Sequence, residues 1–199
     1  MLFMPDAAEI YPAKPSVSLH VEKAVDRLDG KARPGHFDGV VTVLLKLFSL
    51  VEPDRAYFGQ KDAQQVAVVQ NFVSDFFLPL EIRVVETVRE RDGLAKSSRN
   101  VNLSPTEREI APRIHQALLN GRRAIETGTA ANEAEVLVIV QETLRDTAQQ
   151  IDYLELLSYP NFEPVVDFTK PMILAIAVQF EKARLIDNEI IEGSAKRDA

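Results

Sequence analysis

Between Phe37 and Val88 helical and strand-like apolar patterns alternate, and that order restricts the fold more than any other feature of the chain. Apolar residues recur at Phe37, Val40, Val41, Leu44, Phe48 and Val51, the spacing of one helix face. Glu52-Pro53-Asp54 stops that helix, and Arg55 to Phe58 reads as a short buried strand running into Gly59. Asp62 can cap the next helix, whose stripe is Val66, Val69, Phe72, Val73 and Phe76. Leu80 to Val88 alternates as a second strand. Two strands joined by a helix pair in parallel, because the helix carries the chain back to the starting end of the sheet. The predicted class is α/β, with sites at the carboxyl ends of the strands. Gly59-Gln60-Lys61-Asp62 falls at one such end, and the segment from Thr87 onward at the other.

The second half reads differently. Ser104-Pro105-Thr106-Glu107 is a capping box with proline at the first helical position, so a helix starts there and is predicted to reach Glu126. Thr127-Gly128-Thr129 breaks it, and a further helix is expected over Asn132 to Gln149. Ile151 to Leu157, Pro171 to Phe180 and Ala183 to Ile190 read as strands. Helices followed by strands suggest a smaller α+β domain, with the boundary near residues 88–100. At the other end, Pro5, Pro12 and Pro15 make the first stretch loop-like, and Leu2-Phe3-Met4 breaking into Pro5 looks like the end of a strand.

Composition excludes several functions. A net charge of -7 gives no dominant basic face for broad nucleic-acid binding. There is no cysteine, hence no disulfide or thiolate metal site, which fits a cytoplasmic protein. The longest apolar runs, such as Met172 to Val178, are too short to span a bilayer. His20, His36 and His115 are scattered and make no metal spacing.

The polar clusters at the two strand ends carry the chemistry. Lys61, just inside a helix that follows a strand, places an ammonium near free backbone N–H groups that already favour an anion. Gly59 beside it lets backbone approach a ligand. Asp62 is a cap or a ribose acceptor. Gln64 and Gln65 lie about 100° apart on the helix, so at most one faces the site squarely and the other is expected to be solvated. Lys96-Ser97-Ser98-Arg99 follows a flexible Asp92-Gly93 and could close over a polyphosphate, although a charge run is commonly a solvated face. The glycines around Lys96 do not have the P-loop spacing. Arg33 and His36, flanking Pro34-Gly35, either cap and pack or face an anion together.

Three blocks closely resemble the pantothenate synthetase family of the nucleotidyltransferase superfamily. They are Tyr57-Phe58-Gly59-Gln60-Lys61-Asp62, Arg33-Pro34-Gly35-His36-Phe37 and Gly93-Leu94-Ala95-Lys96-Ser97-Ser98-Arg99-Asn100. The resemblance implies a partial Rossmann-like parallel sheet over residues 1–88 and a smaller α+β domain over 89–199 that carries a KMSKS-like clamp loop. It implies ATP-dependent condensation of pantoate with β-alanine through a pantoyl adenylate, with Mg2+ carried by ATP. Residue by residue, Lys61 would bind phosphate and stabilise transferring charge, Gly59 and Asp62 would hold ribose, and Gln65 would contact pantoate. Backbone near Val88 and Lys96 would meet adenine, and Ser97, Ser98 and Arg99 would clamp the β- and γ-phosphates. The full-length enzyme would be a cytoplasmic homodimer.

Where the family carries Met-Gly…His-x-Gly-His ahead of these blocks, the 199 residues contain no such pattern. The expectation is that this polypeptide starts where the family's third strand ends, forms no pantoyl adenylate alone, and leaves an apolar sheet edge unpaired. The alternative is a noncatalytic nucleotide-binding or dimerisation fragment.

Overall fold

A computed structural model describes residues 2–147 and 150–193. Helix α1 (Ala7–Ile10) is a single turn, and residues 2–5 belong to no strand, unlike the sequence expectation for Leu2-Phe3-Met4. Helix α2 (Leu28–Ala32) leads through Pro34 and Gly35 into α3 (His36–Val51). Strand β1 (Arg55–Gly59), helix α4 (Ala63–Asp75) and strand β2 (Glu81–Val85) follow. The two strands pair in parallel, Arg55 opposite Glu81 through to Gly59 opposite Val85. β2 ends at Val85 rather than Val88 because β1 leaves the ladder at Gly59, where the chain turns into a 3-10 helix over Gln60–Asp62.

The single helix expected from Ser104 to Glu126 is two: α5 (Pro105–Ile110) and α6 (Arg113–Thr127). Pro112 explains the break, since its ring has no N–H and would strike the carbonyl four residues back. The capping box itself is present, with Ser104 Oγ accepting from the Glu107 N–H and Glu107 accepting from the Ser104 N–H. Helix α7 (Glu133–Leu144) tightens into a 3-10 turn at Arg145–Thr147, and the last two residues of the expected helix, 148 and 149, lie outside the described residues. Strands β3 (Gln150–Ser158), β4 (Met172–Gln179) and β5 (Arg184–Ile191) form an antiparallel sheet in that spatial order.

This second sheet is the middle layer of the molecule. On β4, Met172, Leu174, Ile176 and Val178 join a core with α6 and α7, through Leu118, Ile125, Val136 and Val140. The alternate residues Ile173 and Ala175 face a second core with Phe37, Val41, Ala67, Val68 and Phe72 of α3 and α4. A strand covered on both faces needs apolar residues at every position, which is why Met172 to Val178 shows no alternation. The parallel pair β1–β2 is much more open, with Tyr57, Val84 and Val85 exposed.

Candidate active site

One cavity of about 300 Å³ opens between the start of α4, the α2–α3 junction and β5. Lys61 enters it from the 3-10 turn after β1, and Arg99 enters from the far segment of the second cluster. Arg33, His36, Asp62 and Gln65 line it as well. Residues 38 positions apart in sequence therefore share one space. Ser97, Ser98, Lys96, Val88 and Gly59 do not line this cavity. Gly59 has ordinary extended backbone (φ −75°) and open space where a Cβ would stand.

Asp62 occupies the N-cap position of α4, but its side chain makes no capping bond and stays exposed. The two glutamines divide the work otherwise than expected. Gln64 is not solvated: it is buried, donates to the carbonyls of Ala24 and Arg27 at 2.7 and 2.9 Å, and accepts from Gly30 N–H at 3.2 Å. It ties α4 to the chain around α2. Gln65 is half-buried and faces the cavity.

Arg33 and His36 meet across their glycine turn, with the guanidinium 3.0 Å from His36 Nε2. Guanidinium only donates, so Nε2 accepts and the ring proton sits on Nδ1. Burial lowers the His36 pKa, and the Arg33 charge lowers it further, against weaker pulls from Asp29 and Asp62. Both side chains line the cavity, so of the two readings of this pair the geometry is compatible with an anion contact as well as packing.

The second cluster is more tightly held than its Asp92-Gly93 suggested. Arg89 and Ala95 form an antiparallel bridge, Glu90 N–H bonds to Leu94 O at 2.8 Å, and Lys96 N–H bonds to Val88 O at 2.9 Å. Gly93 closes the turn with φ +93°, and a Cβ there would stand 3.0 Å from His115 Nδ1. Asp92 accepts from Leu94 N–H at 3.2 Å and pairs with Arg108 at 2.6 Å, and the Arg108 bond holds its carboxyl below the usual range. The chain then enters a 3-10 helix over Ser98–Asn102, with Ser97 Oγ accepting from Arg99 N–H at 3.2 Å. Ser98 and Arg99 are exposed.

Four polar cavity residues are not among those the sequence pointed to: Asp29, Tyr153, Asp187 and Asn188. Asp29 pairs with Arg184 at 2.7 Å and Asp187 with Arg89 at 2.6 Å, so both carboxylates are already neutralised. Burial pushes the Tyr153 phenol far up. Asn188 donates to the carbonyls of Gln60 and Lys61. For Asp187 and Asn188 the sequence signal is the polar triplet Asp187-Asn188-Glu189 between the apolar pairs Leu185-Ile186 and Ile190-Ile191; Asp29 and Tyr153 carry no comparable signal. Among the described residues Arg33, Lys61 and Arg99 have no carboxylate partner within salt-bridge distance, so the cavity favours an anionic ligand.

A family model described as pantoate-beta-alanine ligase matches residues 1–190. The chain is 56% identical over 193 residues to a pantothenate synthetase of Listeria monocytogenes, covering 96% of this chain and 67% of the relative. It is 53% identical to the pantothenate synthetase of Bacillus subtilis over 192 residues, with the same coverage of 96% and 67%. The crystal structure of pantothenate synthetase from Thermus thermophilus superposes with a TM-score of 0.86 at 43% identity, over 93% of this chain and 67% of that one. That of pantoate-beta-alanine ligase from Francisella tularensis, complexed with beta-gamma ATP and beta-alanine, gives 0.69 at 32% identity, over 92% and 61%. The chain thus spans about two thirds of the length of these relatives. No helix among the described residues is long and apolar enough to cross a membrane.

Proposed function

The chain belongs to the pantoate-beta-alanine ligase family, and on that premise we propose that it carries the ATP-gripping side of a site that condenses pantoate with β-alanine. The observation that supports this reading is the shared cavity of Lys61 and Arg99, with Arg33, His36 and Gln65 around it. In the reaction, a pantoate carboxylate oxygen attacks the α-phosphorus of Mg-ATP and pyrophosphate leaves. The β-alanine amine then attacks the acyl carbon of the pantoyl adenylate, and AMP leaves as the C–N bond forms. Phosphoryl chemistry of this kind asks the protein mainly for positioning and preorganised charge.

In this proposal Lys61 sits against phosphate and offsets the charge that builds during transfer. Gly59, with open space beside it, and the exposed Asp62 hold the ribose. Gln65 contacts pantoate. Val88 and Lys96, bonded backbone to backbone, form the edge that meets adenine. Arg99 grips the β- and γ-phosphates with Ser97 and Ser98, which lie outside the cavity lining, so this segment closes over the triphosphate. Arg33 and His36 supply a further anion contact. Residues 1–88 act as the nucleotide-binding part, residues 89–199 as the part bearing the clamp, and the full-length enzyme acts as a cytoplasmic homodimer.

Calorimetric titration with Mg-ATP tests the reading: Lys61→Ala should weaken binding at least about tenfold, the loss of one charged hydrogen bond. Equal affinity for ATP in the two proteins would remove Lys61 from the site. The 199 residues contain no His-x-Gly-His pattern, and a preorganised donor is worth about 10²–10³ in rate, so the chain alone should give no pantoate-dependent release of pyrophosphate. Turnover by the isolated chain would favour a site complete within it.

A further inference from the structure

We infer that Asn188 is a positioning residue, which with its neighbours Asp187 and Glu189 holds the two cationic arms of the cavity in one frame. The inference rests on the nucleotide-site reading above. β5 is apolar at Leu185, Ile186, Ile190 and Ile191 and polar at the three positions between them. Polar side chains in a strand covered on both faces are costly unless paired. All three are paired, and their partners lead to the two arms of the site.

Strand periodicity sends them to opposite faces. Asn188 lies opposite Ala175, on the face that packs against α3 and α4. There its amide donates both protons, to Gln60 O at 3.1 Å and Lys61 O at 2.9 Å. The residue is 6% exposed, and its Oδ1 is buried without a hydrogen-bond partner among the described residues. The flipped amide would set oxygen against two carbonyl oxygens, so the chain's geometry admits one orientation. Asp187 and Glu189 lie opposite Ile176 and Leu174, on the face toward α6. Asp187 takes two Arg89 nitrogens at 2.6 and 3.1 Å, and Glu189 takes Arg89, His115 and Arg122 at 3.4, 3.2 and 3.1 Å.

Arg89 in turn donates to Gly93 O at 3.2 Å and bridges to Ala95, four residues before Arg99. Consecutive residues of one rigid strand therefore hold the turn that carries Lys61 and the root of the segment that carries Arg99. The separation of the two cations is set by β5, with no contact needed between them. Preorganisation of this kind is what a charge-stabilising site requires.

The test uses Asn188→Leu, which keeps the side-chain shape and removes both donors. In the ligand-free protein, amide exchange over residues 60–65 should speed by about tenfold, as for one lost net hydrogen bond, while exchange over residues 172–179 stays unchanged. Affinity for Mg-ATP should fall by about tenfold, and in a Lys61→Ala background Asn188→Leu should cost nothing further. Unchanged exchange at 60–65 would overturn the inference. So would an equal rise across β4, which would make the residue a packing element, or fully additive losses in affinity, which would separate it from Lys61. If the unsubstituted chain binds no ATP, the functional reading falls, and the exchange measurement alone decides whether Asn188 holds the turn.

Discussion

Gln64 and Gln65 are adjacent, chemically identical and opposite in role. Gln64 commits its buried amide to three backbone groups, so Gln64→Leu should cost about 2–3 kcal/mol, read as a lower Tm. Gln65→Leu should stay within about 0.5 kcal/mol and act on ligand binding instead. A Gln65→Leu protein that unfolds as readily as Gln64→Leu would show both to be structural. His36 gives a pH signature. Its folded pKa is lowered by burial and then by Arg33, so the unfolded chain takes up this proton first as pH falls below about 6.5. Stability held above that pH is lost on the acid side. In urea titrations at pH 7.5 and 5.5, His36→Phe should lose less stability on acidification than the parent, and an unchanged difference would clear His36.

Helix α3 is anchored at its first turn by Asp38, which accepts from Val21 N–H at 2.8 Å and pairs with His20 at 3.0 Å. Hydrogen bonding to Asp38, and then its charge, raises the His20 pKa. Its contribution is therefore complete below about pH 6.5 and lost as pH rises through the folded value, opposite in sign to that of His36. His20→Ala should steepen the loss of stability on acidification, and a shallower loss would contradict this. Helix α6 meets β4 and α7 at Gly121, where a Cβ would stand 2.7 Å from Leu174 Cδ2 and 2.9 Å from Val140 Cγ2. Alanine gains about 1 kcal/mol of helix propensity, but overpacking costs about 1–3 kcal/mol. Gly121→Ala should be destabilising by about 1 kcal/mol in denaturant titration, the overpacking winning. A stabilised variant would show that Leu174 and Val140 can give way.

The molecule joins a well-covered three-stranded sheet to a parallel pair left open. Leu2, Phe3, Met4, Tyr57, Phe77 and Val85 are exposed, and β1 and β2 pair only with each other among the described residues. Open strand edges with exposed apolar side chains recruit other strands. The 199-residue chain should therefore associate with rising concentration in light scattering, and Tyr57→Lys with Val85→Lys should reduce that association. A mass that stays monomeric at high concentration would contradict it. The asymmetry bears on function too, since Lys61 hangs from the open sheet while its turn is held by the closed one.

Local pattern carried the parallel β1–α4–β2 unit, the capping box at Ser104 and the turn bearing Lys61, because helix spacing, strand runs and caps are decided within a few residues of chain. It misjudged what depends on distant neighbours. Pro112 is legible in the sequence as a helix breaker, whereas the burial of Gln64 depends on Ala24, Arg27 and Gly30, which lie 34 or more residues away. The tight hairpin around Gly93 draws on Arg108, Asp187 and Glu189. Which cations share a cavity, and which strand sets their spacing, followed from folding. Those facts depend on contacts between elements far apart in sequence, and neither composition nor periodicity encodes them in the order of residues.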